Sequence, residues 1–522
     1  MGPYNILLDC GMADTQVLTS SDRPPADFAF CSHAHPDHAR GLWALHQAYP
    51  DLPIYTSEVT ARLMGFNWPS QETPDFCQPV PWRSPILLAP QLTLEIWPAG
   101  HLPGASVVAL TYEAEGQTYR VIYTGDLTLS NSRLVDGFPL DELRNSKPDV
   151  LIIEGSYGTA RHPRRRQQEN DLAAKIHQSL SHKRSVLLPT SILGMGQEIL
   201  MLLRSHHHFT GREVNIWMND IVARACDAYL DLLNNFPATV QNFAKHQALF
   251  WDERIRPYVR PLSQATPELL STGLNIVITE STADLEACCD LYPGPWLLLL
   301  PERPGQLGSI QADVQTQIES SERFHAGITS GQIALDSYLL SDHCDGAGTL
   351  QVIHNIRPQH VIFVHGSPAY LTDLTSVEDL QTRYHLHLPA ADTSIELPTS
   401  DTFIQPEPPN THFGGELTEL HTAVLVTLDQ AITAEPRWQK FADTGIVEAR
   451  WQGDELILRG LQQREILSDV SSSDSAQGII VCCDTCAYYR GQRCCNQKSA
   501  LFGFHVTPEG SCPVYQPAYE EG

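Results

Sequence analysis

No apolar run in the 522 residues approaches the roughly 20 that a helix needs to cross a bilayer, and the start lacks a signal-peptide pattern. A cytoplasmic protein without membrane contact is therefore expected. Basic residues are also scarce: 34 Lys and Arg stand against 61 Asp and Glu, a formal net charge of −27. Coating a nucleic acid depends on neutralising its phosphates, so this chain is excluded from that class, and any nucleic-acid contact has to be local. Positive charge does gather at Arg161, His162, Arg164, Arg165 and Arg166, a cluster that fits a solvated helix start as well as a phosphate contact. With 42% hydrophobic and 18% charged residues the chain is otherwise an ordinary globular one. Its length requires two or three domains rather than a single core.

What the chain does have is imidazole and carboxylate crowded into one loop. His33, His35, Asp37 and His38 fall within six residues, directly after the apolar run Phe28–Cys31. Asp37 alone could cap the following helix. Three histidines and an aspartate at this spacing instead read as a ligand set, suited to zinc and close enough to seat neighbouring metals. Further candidates follow other strand-like segments, each in a turn beside glycine: His101 after Leu92–Trp97, Asp126 after Val121–Tyr123 and His365 after His360–Val364. One such residue would be an ordinary turn residue. Repetition of the pattern points to one constellation along one sheet edge, on loops held by a rigid scaffold.

These segments resemble the metallo-β-lactamase-fold hydrolases, and specifically their β-CASP branch, the nucleases of the RNase J and cleavage-and-polyadenylation endonuclease type. Asp9 in Leu7–Gly11 resembles the first motif, His33–His38 the second, His101 in Gly100–Ala105 the third and Asp126 the fourth. Glu154 in Ile152–Gly158 resembles motif A, followed by His162, Arg165 and Glu169; His343 in Ser341–Asp345 resembles motif B, and His365 in Val364–Gly366 motif C. The resemblance covers roughly residues 5 to 398. It implies an α/β fold: a four-layer αβ/βα metallo-β-lactamase sandwich, residues 1–165 and 325–400, with a β-CASP domain inserted at 166–324.

The resemblance also implies roles. One zinc would take His33, His35 and His101, the other Asp37, His38 and His365, with Asp126 bridging. A hydroxide available between them at neutral pH would attack phosphorus. Asp9 would orient a ligand imidazole, His343 would protonate the departing oxygen, and Glu154 would hold its ring and raise its pKa. Asp37, His343, Glu154 and Asp9 thus form the implied catalytic group; Arg164, Arg165 and Ser341 are candidate substrate contacts. The implied activity is a zinc-dependent ribonuclease acting on single-stranded RNA, with a homodimer left open as its assembly. Two other readings stay open. A hydrolase of a small ester, thioester or phosphodiester would not need Glu154 or His343 and suits the acidity. A non-catalytic RNA-processing scaffold would be expected to have lost ligands, and all seven are here.

The chain departs from the family pattern in four places. It begins only eight residues before Asp9, from which either a late start or a missing edge strand is expected. Asp342 stands where motif B commonly has alanine, Thr279–Asp284 replaces a Ser-Gly-Met type turn, and no basic RNA-binding module follows the core. Within the insertion, strand-like Ser185–Pro189, the turn Gly194–Glu198, a helix over Ile199–Leu203 and strand-like Val214–Met218 read as parallel βαβ structure. The hydrolase fold is expected to close with Ile395–Leu397.

After Pro398 the composition changes. Gln405–Asn410 reads as a linker, and residues 401–470 as linker plus a small domain of unknown role, with a helix near Leu417–Ala431 and strands at Ile446–Trp451 and Leu456–Leu458. A Ser-rich tether over Leu467–Gln477 leads into a Cys-rich region, 471–522. Of thirteen cysteines, six lie between Cys482 and Cys512, and in a reducing compartment such clustering favours a metal over disulfides. Cys483, Cys486, Cys494 and Cys512 are the expected ligands, with Cys482 and Cys495 as alternatives. The group they hold is either a structural zinc or an iron–sulfur cluster, the latter on the strength of Cys512-Pro513.

Overall fold

In a computed structural model of the chain the described residues are 1–397, apart from breaks at 72, 253, 272–273, 292–293 and 303–308, together with 415–420, 423–428, 446–452, 455–460, 486–490, 493–499, 506 and 515–516. The chain divides into two compact units, Met1–Pro406 and Glu407–Gly522.

The first unit holds three sheets. Ile6–Leu8, Phe28–Phe30, Ile54–Ser57 and Gln78–Val80 lie side by side in a parallel four-stranded sheet. A seven-stranded sheet runs His385–His387, His360–Val364, Val150–Glu154, Gln117–Tyr123, Ser106–Ala114, Leu92–Pro98, Ile86–Ala89; its first four strands pair in parallel and the rest antiparallel. Side-chain alternation makes the layers. Leu94, Ile96, Val108, Leu110 and Tyr123 turn one face of the larger sheet onto Phe30 and Val80 of the smaller. Ile122, Leu151 and Ile153 turn the other face into a core shared with the helices Leu140–Leu143, Gly346–Ile356 and Pro368–Thr375. Ala29, Cys31 and Ile54 pack the outside of the smaller sheet on Leu42 and Leu45. Helix, sheet, sheet and helix stack as the expected four layers.

The third sheet is wholly parallel, in the order Tyr258–Pro261, Val214–Met218, Leu274–Glu280, Ser185–Thr190, Trp296–Pro301, Ile333–Tyr338. Its strands are near-continuous apolar runs because both faces are covered. Leu187, Trp217, Val277 and Leu298 enter one core, while Val186, Leu188, Ile216, Ile276 and Leu299 enter the other. The helix expected at Ile199–Leu203 spans Met195–Ser205. This sheet extends past the expected boundary at residue 324, since Ile333–Tyr338 pairs along Trp296–Pro301.

Two expectations are corrected. The large sheet ends not on Ile395–Leu397, which lies in no strand, but on His385–His387 beside His360–Ile362. A three-residue His-Leu-His strand has no apolar signature to betray it. In the second unit, the helix expected near Leu417–Ala431 is a hairpin, Gly415–Leu420 with Ala423–Leu428, and Ile446–Gln452 and Glu455–Gly460 extend it into an antiparallel four-stranded sheet. The apolar residues there are compatible with either period; the β-branched Val424, Val426 and Thr427 favour the strand. The linker Gln405–Asn410 and the tether Leu467–Gln477 lie outside the described residues.

One buried carboxylate fastens the third sheet's helices to the loop that follows Asp126. Glu198 accepts hydrogen bonds from Ser132 Oγ at 2.7 Å and from the backbone N–H groups of Arg133 and Leu134, each at 2.9 Å. Arg133 in turn reaches Glu169 at 2.6 Å. Glu198→Ala leaves these three donors without their acceptor, at about 1–3 kcal/mol each, so the denaturation midpoint should fall by the equivalent of at least about 3 kcal/mol. Glu198→Gln, which keeps an acceptor oxygen, should lose less. Equal midpoints for Ala and wild type would refute this role.

Candidate metal centre

Strand ends and the turns after them carry most of the candidate residues. Asp9 follows Ile6–Leu8, His33–His38 follow Phe28–Phe30, His101 follows Leu92–Pro98, Asp126 follows Gln117–Tyr123, Glu154 ends its strand, and His365 follows His360–Val364. The turns are tight. Asp9 and His365 adopt the left-handed region, at φ of 60° and 50°, which costs a residue with a Cβ roughly 1–2 kcal/mol and persists only where surrounding contacts enforce it. Gly125, at φ +52°, has no room for a side chain, because a Cβ there would lie 2.5 Å from that of Ser32. Glycine thus lets Asp126 close onto the His33 loop.

All seven expected ligands converge. The Asp126 carboxylate is buried, with His365 Nδ1 at 3.2 Å, His38 Nε2 at 3.3 Å, His33 Nε2 at 3.5 Å and His101 Nε2 at 3.8 Å. His33, His35, His101 and Asp126 form one group whose ligand atoms all lie within 4.8 Å of one another; Asp37, His38 and His365 form a second. Asp37 is the open member, its side chain 60% exposed.

Hydrogen bonds hold four of the rings. Nδ1 of His33 lies 3.0 Å from Ser32 Oγ, Nδ1 of His38 2.6 Å from Asp9, Nδ1 of His101 2.8 Å from the Asp342 carbonyl, and Nε2 of His35 3.2 Å from the Leu193 carbonyl. The remaining nitrogen of each faces inward. Nε2 of His33, Nε2 of His38 and Oδ1 of Asp126 are buried without a hydrogen-bond partner, an arrangement that is costly unless a cation satisfies it. Their donor set fits divalent metal. Burial and neighbouring imidazoles push His33 down and His101 down to about 3, keeping them in the neutral form that binds metal. His38 goes the other way: against burial, Asp126 and Asp9 raise it.

Beside this centre, His343 Nδ1 lies 2.8 Å from Glu154 Oε2 and 3.8 Å from Asp126, while its Nε2 is 3.5 Å from Asp342. Burial pulls this imidazole down, but the carboxylates of Glu154, Asp342 and Asp126 override it and raise the pKa to about 9. Asp342, the departure in motif B, therefore adds negative charge next to the ring.

Sequence reasoning missed two hydroxyls. Tyr123 donates to Asp9 at 2.6 Å, joining Ser32, whose N–H and Oγ donate at 2.6 and 2.7 Å, so that Asp9 is saturated and rigid. Ser156 touches Glu154 and lies 3.0 Å from His365 Nδ1 and 3.4 Å from His343 Nδ1. Its place inside motif A was the available signal; Tyr123 offered only strand alternation. Two of the expected substrate contacts, Arg165 and Ser341, have partners within the protein. Arg165 donates to the Ser341 carbonyl at 2.6 Å and lies 3.6 and 3.5 Å from Glu169 and Glu198. Ser341 takes up Gln168 through its own N–H. Arg164 is exposed at the start of the helix Arg165–Ser181. Of the cysteine ligands, Cys482, Cys483 and Cys512 lie outside the described residues; Cys486 precedes the small hairpin Tyr489–Arg490/Arg493–Cys494, where Cys494 is buried and Cys495 exposed.

Residues 4–188 match the Beta-lactamase superfamily domain, and residues 333–379, which contain His343 and His365, match the Zn-dependent metallo-hydrolase RNA specificity domain. The chain belongs to the β-CASP branch of the metallo-β-lactamase-fold hydrolases. It is 46% identical over 525 residues to the uncharacterized protein sll0514 of Synechocystis, covering 99% of this chain and 93% of that one. It is 24% identical to Integrator complex subunit 11 of Danio rerio, over 70% of this chain and 66% of that protein. It is 25% identical to Endoribonuclease YSH1 of Mycosarcoma maydis, over 72% of this chain and 44% of that protein. No helix among the described residues is long and apolar enough to cross a membrane.

The raised His343 pKa has a measurable sign. Because the folded value exceeds the ordinary 6.5, the stabilisation it reflects is complete below pH 6.5 and is lost as pH rises through about 9. In metal-free protein the His343 ring, followed by NMR, should hold its proton to near pH 9, and Glu154→Gln should lower that midpoint by removing the nearest charge. An unchanged midpoint would separate Glu154 from the effect.

Proposed function

We propose that this member of the branch is a zinc-dependent ribonuclease that hydrolyses phosphodiester bonds of single-stranded RNA. The His343–Glu154 pair carries the reading. A ribose oxygen leaving phosphorus is a poor leaving group unless it gains a proton in the transition state, whereas hydrolysis of a thioester or activated ester needs no such donor. A protonated imidazole whose Nδ1 is held by buried Glu154 beside the Asp126 cluster, with its Nε2 3.5 Å from Asp342, meets that need. The match of residues 333–379 to an RNA specificity domain, and relatives named as RNases, support the substrate.

In this reading His33, His35 and His101 hold one zinc and Asp37, His38 and His365 the other, with Asp126 shared. The ions would lower the pKa of a water between them and offset charge on the phosphate oxygens. Asp9, fixed by Tyr123 and Ser32, keeps the His38 ring in place. With Nδ1 of His343 on Glu154, its Nε2–H is the proton given to the leaving oxygen, and Glu154 stabilises the charge on the ring until then. Exposed Arg161, Arg164 and Arg166 supply the local positive charge that a chain of net charge −27 needs near a polyanion.

Purified protein loaded with zinc should cleave labelled single-stranded RNA in preference to a small carboxylic ester or thioester; preference for the ester or thioester would replace this reading with the small-molecule hydrolase. Asp126→Ala should abolish turnover and lower metal content. His343→Ala should keep its metals yet lose roughly 10²- to 10⁴-fold in the chemical step, and a phosphorothiolate at the scissile bond should recover much of that loss. Equal damage on both substrates would remove His343 from the acid role.

A further inference from the structure

We propose that His206, His207 and His208 form a separate site for a divalent transition metal, Zn2+ being the ion we expect, remote in sequence from the catalytic motifs. The three imidazoles follow the last turn of the helix Met195–Ser205, where His206 is the capping residue and its N–H still bonds to the Leu202 carbonyl at 2.9 Å. The chain then turns tightly, with the N–H groups of Phe209 and Thr210 returning to the His206 carbonyl at 3.0 and 3.1 Å. A helix C-terminus presents partial negative charge from its free carbonyls, a favourable place for a cation.

The geometry is that of a ligand set rather than of three histidines that happen to adjoin. Ring centroids are 4.3 Å apart for His206 and His207, 4.2 Å for His207 and His208, and 4.8 Å for His206 and His208. The corresponding separations among His33, His35 and His101 in the catalytic centre are each 4.9 Å. The three residues can present one nitrogen each with all three atoms within 4.8 Å of one another. His177, on the neighbouring helix Arg165–Ser181, stacks on His208 at 4.5 Å and 8°, fixing that ring. The hydrogen bonds of the His206 ring are long, Nε2 3.3 Å from Asn170 Oδ1 and Nδ1 3.3 Å from the His208 backbone nitrogen, so a metal displaces little. Arg133 lies near, but its charge is met by Glu169 at 2.6 Å.

An all-imidazole set selects among ions. It suits Zn2+, Ni2+ or Cu2+ and is poor for Mg2+ or Ca2+, which prefer oxygen. Burial and then the adjoining imidazoles hold His206 and His208 below the ordinary histidine value, so the rings are neutral and ready to bind. A bound ion would clip the end of one helix to a ring already stacked against the next.

The test is zinc stoichiometry of the full-length chain after equilibrium dialysis, for wild type, His207→Ala and the double variant His206→Asn/His208→Asn. Both variants should hold one equivalent less than wild type while keeping wild-type hydrolysis of the preferred substrate. His207 is exposed, so that variant decides the matter if the double variant fails to fold. Equal stoichiometry in His207→Ala and wild type, across free zinc concentrations that fill the wild-type sites, would overturn the proposal. Failure of the ribonuclease reading would show as wild-type inactivity on RNA and would leave this difference in zinc count untouched.

Discussion

A carboxylate buried among five imidazoles is the constraint around which the first unit is organised. Asp126 is almost fully removed from water, with His33, His38, His101, His343 and His365 all within 3.2–3.8 Å. An isolated charge in such a place is strongly unfavourable, so the fold has to deliver the compensating groups from strands far apart in sequence. Parallel pairing of Val150–Glu154 with Gln117–Tyr123 and with His360–Val364 sets Asp126, Glu154 and His365 at the same sheet end. Because side chains alternate along a strand, a slip of one residue in either ladder would exchange the inward and outward faces. Register in the large sheet and geometry at the centre are therefore one requirement.

The third sheet also helps to position this centre. The Leu193 carbonyl lies 3.2 Å from Nε2 of His35, so a ligand ring takes its orientation from a loop of that sheet, not from the sandwich that carries the histidine. Arg165 reaches the Ser341 carbonyl, two residues before His343, from the first turn of the helix that leads into the third sheet. The Asp126 loop is held the same way through Glu198. A displacement of this sheet therefore reaches the candidate ligands through hydrogen bonds.

Much of this could be read before any coordinates, for a physical reason. Metal chemistry demands rare residue types at fixed intervals, and His33, His35, Asp37 and His38 satisfy it in a single loop. Two apolar strands of the third sheet, at Ser185–Thr190 and Val214–Met218, were also plain, since burial on both faces leaves no alternation to misread. Legibility failed where the residue type was common or the pattern short. Tyr123 and Ser156 act through one hydroxyl each; Ser156 was marked only by its place in motif A, and nothing in the neighbours of Tyr123 marks which of many such residues faces a site. Arg165 looked like a phosphate contact because its charge was visible, while two of its three partners, Ser341 and Glu198, were distant in sequence. His385–His387 and the hairpin at Gly415–Leu428 were hidden by strands too short or too evenly apolar to declare their period.

The path of the chain between the two large sheets has a consequence for synthesis. It leaves the third sheet at the end of Ile333–Tyr338 and arrives within a few residues at His343. A growing polypeptide emerges and folds from its N-terminus, so the loops bearing His33, His101 and Asp126 exist while His343 does not. His343 can reach Glu154 only after the whole intervening sheet has been made and its edge strand has paired. A nascent or truncated chain would thus carry much of the His and Asp cluster around Asp126 without the buried His343–Glu154 pair.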